Sequence, residues 1–288
     1  MIKIIYLKYV SDGGVIEMSN DSSFRYRIKE LDGFGLPAKR FDTVDYANQP
    51  GITTTGSKDL ARTLTITCDI NGGQRERNSV LRAFYYEGVL FCKFGETKLK
   101  IACKCSNMSD IEHHGGSDIS TFTVQLQCDW PYFEEWYDTT QQIVGYINNF
   151  ADSDEYDFTL PWVFTELVQQ GAVYNDGDLI VYPIINITAL KASDGATTLT
   201  VKNNTTGATI VINHTLALNE VVTVNIPERK VVSSVEGNIT SKITDTTDLS
   251  AFFLEKGKND ISFNVTEGVS QLLSASVTFN RSYIMAQR

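Results

Sequence analysis

The sequence has few of the groups that enzymes and membrane proteins use. Its 288 residues include three histidines, His113, His114 and His214, so few side chains titrate near neutral pH. No stretch approaches the 18 consecutive apolar residues of a membrane-spanning helix. The N-terminal segment also lacks the apolar core and cleavage site of a signal peptide. We therefore expect a protein that is made in the cytoplasm and does not insert into membranes.

Positive charge is also scarce. The chain carries 25 Lys and Arg against 35 Asp and Glu, a net charge of −10. Residues 151–288 hold 9 basic and 16 acidic side chains and contribute −7 of that total. An acidic surface repels phosphate backbones, so the composition disfavours nucleic-acid binding.

Cysteine occurs only in the first half of the chain, at Cys68, Cys92, Cys103, Cys105 and Cys128. The spacing of Cys103 and Cys105 before His113 and His114 does not fit familiar zinc sites. Buried, reduced thiols are the favoured interpretation. Acidic residues at 152, 154 and 157 would offer calcium ligands from one short segment only, without an EF-hand loop. The sequence therefore predicts no metal and no cofactor.

Catalytic motifs are missing as well. Gly33-Phe34-Gly35 lacks the third glycine and the following helix of a dinucleotide-binding loop. Neither His-Glu-x-x-His nor Gly-x-Ser-x-Gly occurs, and no pair of carboxylates has a context that indicates glycoside cleavage. We predict no catalytic residues and no enzymatic activity.

The first 136 residues have the pattern of strands with a single helix. Val80, Leu81, Phe84 and Tyr85 recur at helical spacing between Gly73 and Gly88, which predicts a helix over residues 74–86. Residues 118–129 alternate strictly, with Phe122, Val124, Leu126 and Cys128 on one face. Residues 42–61 hold little apolar content and are predicted to be a long loop, either mobile or held from outside the domain.

The chain divides into two predicted domains. Residues 1–136 end at an aromatic cluster around Pro131, and residues 137–175 form a linker region with an acidic patch at 152–157 and an apolar patch at 160–164. Residues 176–288 contain turn signals every 8–15 residues, which is typical of a β-sandwich. The predicted strands cover residues 179–190, 197–202, 208–213, 221–226, 229–235, 259–265 and 272–283.

Three segments of this second domain carry a family resemblance. They are Gly177-Asp178 with Tyr182-Pro183-Ile184-Ile185, then Asn203-Asn204-Thr205-Thr206-Gly207, then Lys256-Gly257-Lys258-Asn259 before Asp260-Ile261-Ser262-Phe263. Their order and spacing resemble the C-terminal domain of the distal tail proteins of long-tailed, non-contractile phages. The first domain ends at Asp129-Trp130-Pro131-Tyr132-Phe133, and this segment is similar to the segment that ends the first domain in the same family.

The resemblance implies a mainly β fold, with an N-terminal barrel-like or split-barrel domain that has one helix and a C-terminal galectin-like β-sandwich. It also implies a hexameric ring at the virion tail tip, in contact with the tail-tube protein, the tail-associated hub protein and receptor-binding proteins. We expect the segment at 42–61 to be an arm that a neighbouring subunit orders. Its candidate ring-interface residues are Asp45, Tyr46, Asn48, Thr54, Lys58 and Arg62.

A carbohydrate-binding module that recognises the host wall is the alternative. It would use exposed aromatic side chains such as Trp136, Tyr156 or Trp162. Residues 176–288 contain no tryptophan, and their tyrosines are Tyr182 and Tyr283 only. Few such side chains are therefore available there to line the face of a strand. A hydrolase on the same scaffold is a third and weaker hypothesis, because acid–base residues are scarce.

Overall fold

The computed structural model describes residues 5–47, 50–113, 119–144, 169–190, 192–193, 197–266 and 273–286. The chain forms two compact units. The first contains residues 1–136 and 282–288, and the second contains residues 137–281. Within the described residues no helix is long and apolar enough to cross a membrane.

In its described residues the first unit consists of strands and one α-helix, α1 (Gln74–Tyr85). Its strands up to the aromatic cluster are β1 (Ile5–Ser11), β2 (Gly14–Ser19), β3 (Tyr26–Asp32), β4 (Lys39–Asp45), β5 (Ile52–Asp59), β6 (Arg62–Asn71), β7 (Gly88–Phe94), β8 (Thr97–Met108), β9 (Glu112–His113), β10 (Ile119–Cys128) and β11 (Phe133–Glu135).

Seven of these strands close into a barrel in the order β8-β7-β1-β2-β3-β6-β10, and β10 pairs back onto β8. All the pairings are antiparallel except the short β2–β3 contact. Alternate side chains point inward, as the period of a strand requires. The predicted inner face of β10 is confirmed, because Phe122, Val124, Leu126 and Cys128 are fully buried in the barrel core.

The helix packs on the turn between β1 and β2. It buries Val80, Ala83 and Phe84, whereas Leu81 and Tyr85 face solvent. The small Ala83 allows this close approach, and a Cβ at Gly13 would lie 2.0 Å from the Arg82 carbonyl oxygen. The Ser11 hydroxyl also donates to the Ala83 carbonyl at 2.7 Å.

The second unit is a β-sandwich with two sheets around one core. Its strands are β12 (Thr139–Val144), β13 (Gln169–Asn175), β14 (Ile184–Ala189), β15 (Thr198–Asn203), β16 (Thr209–Asn213), β17 (Val221–Asn225), β18 (Lys230–Ser233), β19 (Gly237–Asn238), β20 (Gly257–Thr266) and β21 (Leu273–Phe279). One sheet has the order β12-β21-β14-β17-β18-β19 and the other β13-β20-β15-β16. Two 3-10 helices cover Thr240–Lys242 and Leu249–Ala251. The predicted mainly β fold, with one barrel-like unit and one sandwich, is confirmed.

Two of the turn motifs in the sequence meet in one buried amide network. The Asn203 side chain accepts from the Thr205 N–H at 3.0 Å and donates to the Phe253 carbonyl at 2.9 Å. It also donates to the Asn259 side chain at 3.3 Å, and Asn259 in turn donates to the Glu255 carbonyl at 2.8 Å. Both asparagines are fully buried, and buried amides persist only when they are hydrogen-bonded. This network therefore joins two turns that are distant in sequence.

The ends of the predicted linker belong to the sandwich. β12 pairs with β21, and β13 pairs with β20. The Gln141 side chain bridges the two sheets, because it donates to the Tyr174 carbonyl and accepts from the Tyr174 N–H, both at 2.9 Å. The acidic and apolar patches of the linker region lie outside the described residues.

The end of the chain differs from the expected last strand of the sandwich. β21 ends at Phe279, and the chain then returns to the first unit as β22 (Ser282–Tyr283), which pairs with β11. The Tyr283 hydroxyl hydrogen-bonds the Glu135 carboxylate at 2.8 Å, and the Ala286 N–H donates to the Phe34 carbonyl at 3.2 Å. Ala286 is fully buried. The first unit therefore needs residues from both ends of the sequence.

Deletion of residues 282–288 should destabilise the first unit and leave the sandwich unaffected. The deletion removes the β22–β11 pairing and the burial of Tyr283 and Ala286. Differential scanning calorimetry should show one transition that falls by several degrees and a second that stays in place. A fall in the transition of the sandwich instead would contradict this assignment of the tail.

Candidate assembly surface

Strands β4 and β5 form a hairpin of their own, separate from the barrel sheet. All seven residues of β4 are exposed, and so are six of the eight residues of β5. The prediction of a structureless loop over residues 42–61 is therefore wrong. The β-branched Thr53 and Thr54 follow Ile52 on β5, and they pair with Val44 and Thr43 on β4.

Large apolar side chains lie on the exposed hairpin. Asp45 pairs with Ile52 and Thr43 pairs with Thr54, and strand alternation places Phe41 on the same face as these two pairs. Phe41 is 56% exposed and Ile52 is 68% exposed. The pairing shifts register at Thr55, whose hydroxyl donates to the Asp42 carbonyl at 3.1 Å. A solvated hairpin would not normally carry such side chains on a polar surface, so this face has the composition of a contact surface.

The base of the hairpin is tied to the aromatic cluster. Lys39 and Asp59 face each other across the two strands, with Nζ and Oδ1 3.6 Å apart. The Tyr132 hydroxyl donates to Asp59 Oδ2 at 2.6 Å. Burial and this bond to a carboxylate raise the pKa of Tyr132 to about 12, so it stays a donor at neutral pH. The hairpin thus projects from a fixed base.

Arg62 lies directly after this base, at the start of β6, and is 3% exposed. Its guanidinium donates to four backbone carbonyls. They are those of Pro131 at 2.7 Å, Gly33 at 2.7 Å, Gly35 at 2.6 Å and Ile284 at 2.6 Å. The guanidinium carbon also lies 4.8 Å from the centroid of the Phe133 ring. Burial lowers the pKa of Arg62, but guanidinium remains charged in proteins.

The structure brings four of the six predicted interface residues together. Asp45, Tyr46, Thr54 and Lys58 are all exposed on the hairpin. Asn48 lies outside the described residues. Arg62 is an interior residue of the first unit, so its role in any interface would be indirect, through the position of the hairpin. The sequence reasoning missed Phe41 and Ile52, although their strand-like spacing and β-branched neighbours were available.

Of the other candidate chemistry, the structure describes the cysteine pair at 103 and 105. Cys103 is buried, and Cys105 is half-buried on the same strand. A hydrogen bond with Cys128 and burial both raise the pKa of Cys103, which keeps the thiol protonated. Among the described residues no three His, Cys, Asp or Glu side chains are placed to hold a metal ion. The side chains of His113 and His114 and the acidic segment at 152–157 lie outside that part of the chain.

The fold thus comprises a barrel unit with an exposed hairpin and a sandwich unit. Residues 176–283 match the family model of the siphovirus-type tail component, C-terminal domain. The resemblance of this part of the chain to the tail proteins of siphophages is therefore confirmed.

Solved structures are similar in fold over almost the whole chain. The crystal structure of the Dit (gp 19.1) protein of phage SPP1 is similar with a TM-score of 0.67 at 11% identity, over 96% of this chain and 98% of that one. A chain of the phage p2 baseplate, in its activated conformation with strontium, is similar with a TM-score of 0.50 at 10% identity, over 98% of each chain. At these identities the likeness concerns the fold. No curated protein matched the sequence.

Proposed function

We propose that this chain is a distal tail protein that acts as the hub of a siphophage tail tip. The observation that carries the proposal is the tail-component domain at residues 176–283, joined to a barrel unit in a chain with the fold of the SPP1 Dit protein throughout. That protein is described as a paradigm of the hub adsorption apparatus in phages that infect Gram-positive bacteria. The role is structural, and the chain works through its contact surfaces.

The proposed assembly is a hexameric ring of first units. A ring needs a heterologous contact, in which one surface of each subunit binds a different surface of the next. The β4–β5 hairpin suits this contact because it is exposed on both faces and carries Phe41 and Ile52. An isolated two-stranded hairpin is at best marginally stable in water, so contact with a neighbour would also stabilise it.

The proposed partners follow from the position of a hub. The ring would join the tail-tube protein to the tail-associated hub protein, and it would hold receptor-binding proteins. The chain would be made in the host cytoplasm and then reside at the virion tail tip. Nucleic acid and membrane are not among the proposed partners, which agrees with the net charge of −10.

Negative-stain electron microscopy of the purified chain tests this proposal. We expect six-fold rings with a central hole, and light scattering should give six times the 32.1 kDa mass of the chain. A monomer at all accessible concentrations would count against the ring. The same preparation should bind a matching tail-tube protein in a pull-down.

The carbohydrate-binding alternative gains no support from the described residues. The Trp136 indole donates to the Leu99 carbonyl at 2.6 Å and packs edge-on against Phe91, so it is held in the first unit. Tyr283 is buried there as well. Tyr156 and Trp162 lie outside the described residues. Glycan-array binding that disappears when an exposed aromatic residue is replaced would revive this alternative.

A further inference from the structure

A buried charged cluster in the sandwich has no part in the proposed assembly. His214 follows β16, and its side chain and that of Glu220 are each 1% exposed. His214 Nε2 lies 2.6 Å from Glu220 Oε1. Glu220 also accepts from the Ala217 N–H at 2.7 Å and from the Ser233 hydroxyl. The inner half of this cluster is therefore fixed by several hydrogen bonds.

Hydrogen bonding keeps Glu220 ionised. Burial alone would raise the pKa of this carboxyl, but the hydrogen bonds from Ala217, Ser233 and His214 outweigh it and lower the pKa below its ordinary value. The ionised carboxylate contributes fully to the free energy of unfolding above the pKa that Glu220 has in the unfolded chain. This contribution is lost as the pH falls through the lower pKa of the folded chain. Between pH 7.5 and 5.5 Glu220 therefore stays charged.

The outer nitrogen of His214 faces two groups of opposite charge. Lys242 Nζ lies 3.0 Å from His214 Nδ1, and Glu236 Oε1 lies 3.8 Å from the same nitrogen. Lys242 also donates to Glu236 at 2.5 Å. In the described part of the chain, Glu220, Glu236 and Lys242 are the charged groups that face this imidazole. An ammonium has only donors, so the contact with Lys242 requires Nδ1 to be an acceptor and places the ring proton on Nε2.

Protonation of His214 reverses the preference of Nδ1. The nitrogen becomes a donor and can no longer accept from Lys242, whereas the Glu236 carboxylate becomes the matching acceptor. The side chains of Lys242 and Glu236 are 35% and 47% exposed, so they have room to move, whereas His214 and Glu220 do not. Imidazole is the side chain whose charge ordinarily changes near physiological pH.

Lys242 belongs to the segment that covers one edge of a sheet. β16 is the edge strand of the four-stranded sheet, and residues 243–247 run along its free side. The Thr244 N–H donates to the Val211 carbonyl at 3.0 Å, and the Val211 N–H donates to the Thr247 hydroxyl at 3.0 Å. The Ile212–Ile243 bridge and the hydrogen bonds of Thr240 with Val231 also hold this cover, and Lys242 is its charged anchor. An uncovered strand edge can pair with another chain.

We propose that His214 is a proton-operated latch for residues 240–247. The neutral imidazole holds Lys242 and keeps the edge of β16 covered. Protonation turns Nδ1 into a donor to Glu236, breaks the hydrogen bond between Nδ1 and Lys242 and so loosens the covering segment. The outcome is a strand edge that becomes accessible on mild acidification.

Hydrogen exchange of the full chain, followed by mass spectrometry at pH 7.5 and 5.5, tests the latch. After correction for intrinsic exchange rates, protection of residues 242–247 should fall at least tenfold at the lower pH. Protection of β14 should not change, which excludes general unfolding. His214→Gln cannot take up a proton at this position. In this variant the protection of residues 242–247 at pH 7.5, divided by their protection at pH 5.5, should be near one.

Lys242→Met supplies an independent check. It leaves the histidine in place but removes the anchor, so the segment should be poorly protected at both pH values. Equal protection of the wild-type segment at pH 7.5 and 5.5 would overturn the proposal. So would a tenfold acid response that persists in Lys242→Met. Since each readout concerns one segment of the sandwich, failure here is distinct from failure to form rings.

Discussion

Replacement of residues 40–58 by Asn-Gly should leave a folded monomer that does not form the proposed ring. The change keeps Lys39 and Asp59, which are already paired across the strands, and joins them by a two-residue turn of the type that closes hairpins. The Tyr132–Asp59 bond and the Arg62 contacts stay intact. Light scattering should show a sixfold fall in mass, while circular dichroism retains the β spectrum of both units.

A point variant makes the same test without a deletion. Phe41→Ser combined with Ile52→Thr removes the two most exposed large apolar side chains of one hairpin face. Full burial of a fully exposed side chain of this size contributes about 1.5–3 kcal/mol. Because Phe41 is 56% and Ile52 68% exposed, burial of both would contribute roughly 2–4 kcal/mol to each proposed interface. The concentration for half-assembly should therefore rise by roughly 100-fold.

The matched control for this variant lies on the sandwich. Leu218 is 59% exposed, close to the values for Phe41 and Ile52, and Leu218→Ser should leave the mass of the ring unchanged. If the hairpin variant assembles at the same concentration as Leu218→Ser, the hairpin is not the ring contact. A ring that also dissociates in Leu218→Ser would indicate a different interface.

The sequence predicted the elements whose signal is local. The helix at 74–86 has a glycine before it and an apolar repeat within it, and the observed helix differs by one residue at its end. β10 has strict alternation over ten residues and lies as expected. In both cases the local preference and the burial in the core agree, so a short window of sequence is sufficient.

The elements that failed depend on contacts distant in sequence. The hairpin was predicted to be a loop because its apolar residues are few and exposed, and strand pairing without a buried face leaves only a weak pattern. The return of Ser282 to the first unit was not predicted, because nothing in residues 280–286 differs from another sandwich strand. Its position depends on Glu135 and Arg62, which lie about 150 and 220 residues earlier.

Arg62 illustrates the same limit at the candidate site. Its place at the start of an alternating strand favoured an exposed, partner-facing charge, and arginine is seldom buried without a carboxylate. The structure surrounds its guanidinium with backbone carbonyls instead. Carbonyl acceptors leave no signature in the sequence, since every residue has one. Only the fold shows which of them converge.

Arg62→Met should destabilise the first unit by at least about 3 kcal/mol. The substitution leaves four carbonyls without their donor, and each unsatisfied buried acceptor costs about 1–3 kcal/mol before relaxation and entry of water. For a unit of this size the loss corresponds to a fall of roughly 10 °C in the midpoint of its transition. Calorimetry should show the transition of the sandwich unchanged.

Two variants decide between this role and a general effect of charge loss. Arg27→Met removes an exposed arginine of the same unit and should lower the midpoint by no more than about 2 °C, as surface substitutions do. Arg62→Lys keeps the charge but loses the planar fork that reaches several acceptors, so it should fall between the wild type and Arg62→Met. Because Ile284 supplies one of the four acceptors, Arg62→Met should destabilise the chain that lacks residues 282–288 by less than it destabilises the full chain. If the losses of stability from the two changes are fully additive, the Arg62 guanidinium and residues 282–288 act independently. That outcome would contradict the observed hydrogen bond between Arg62 and the Ile284 carbonyl.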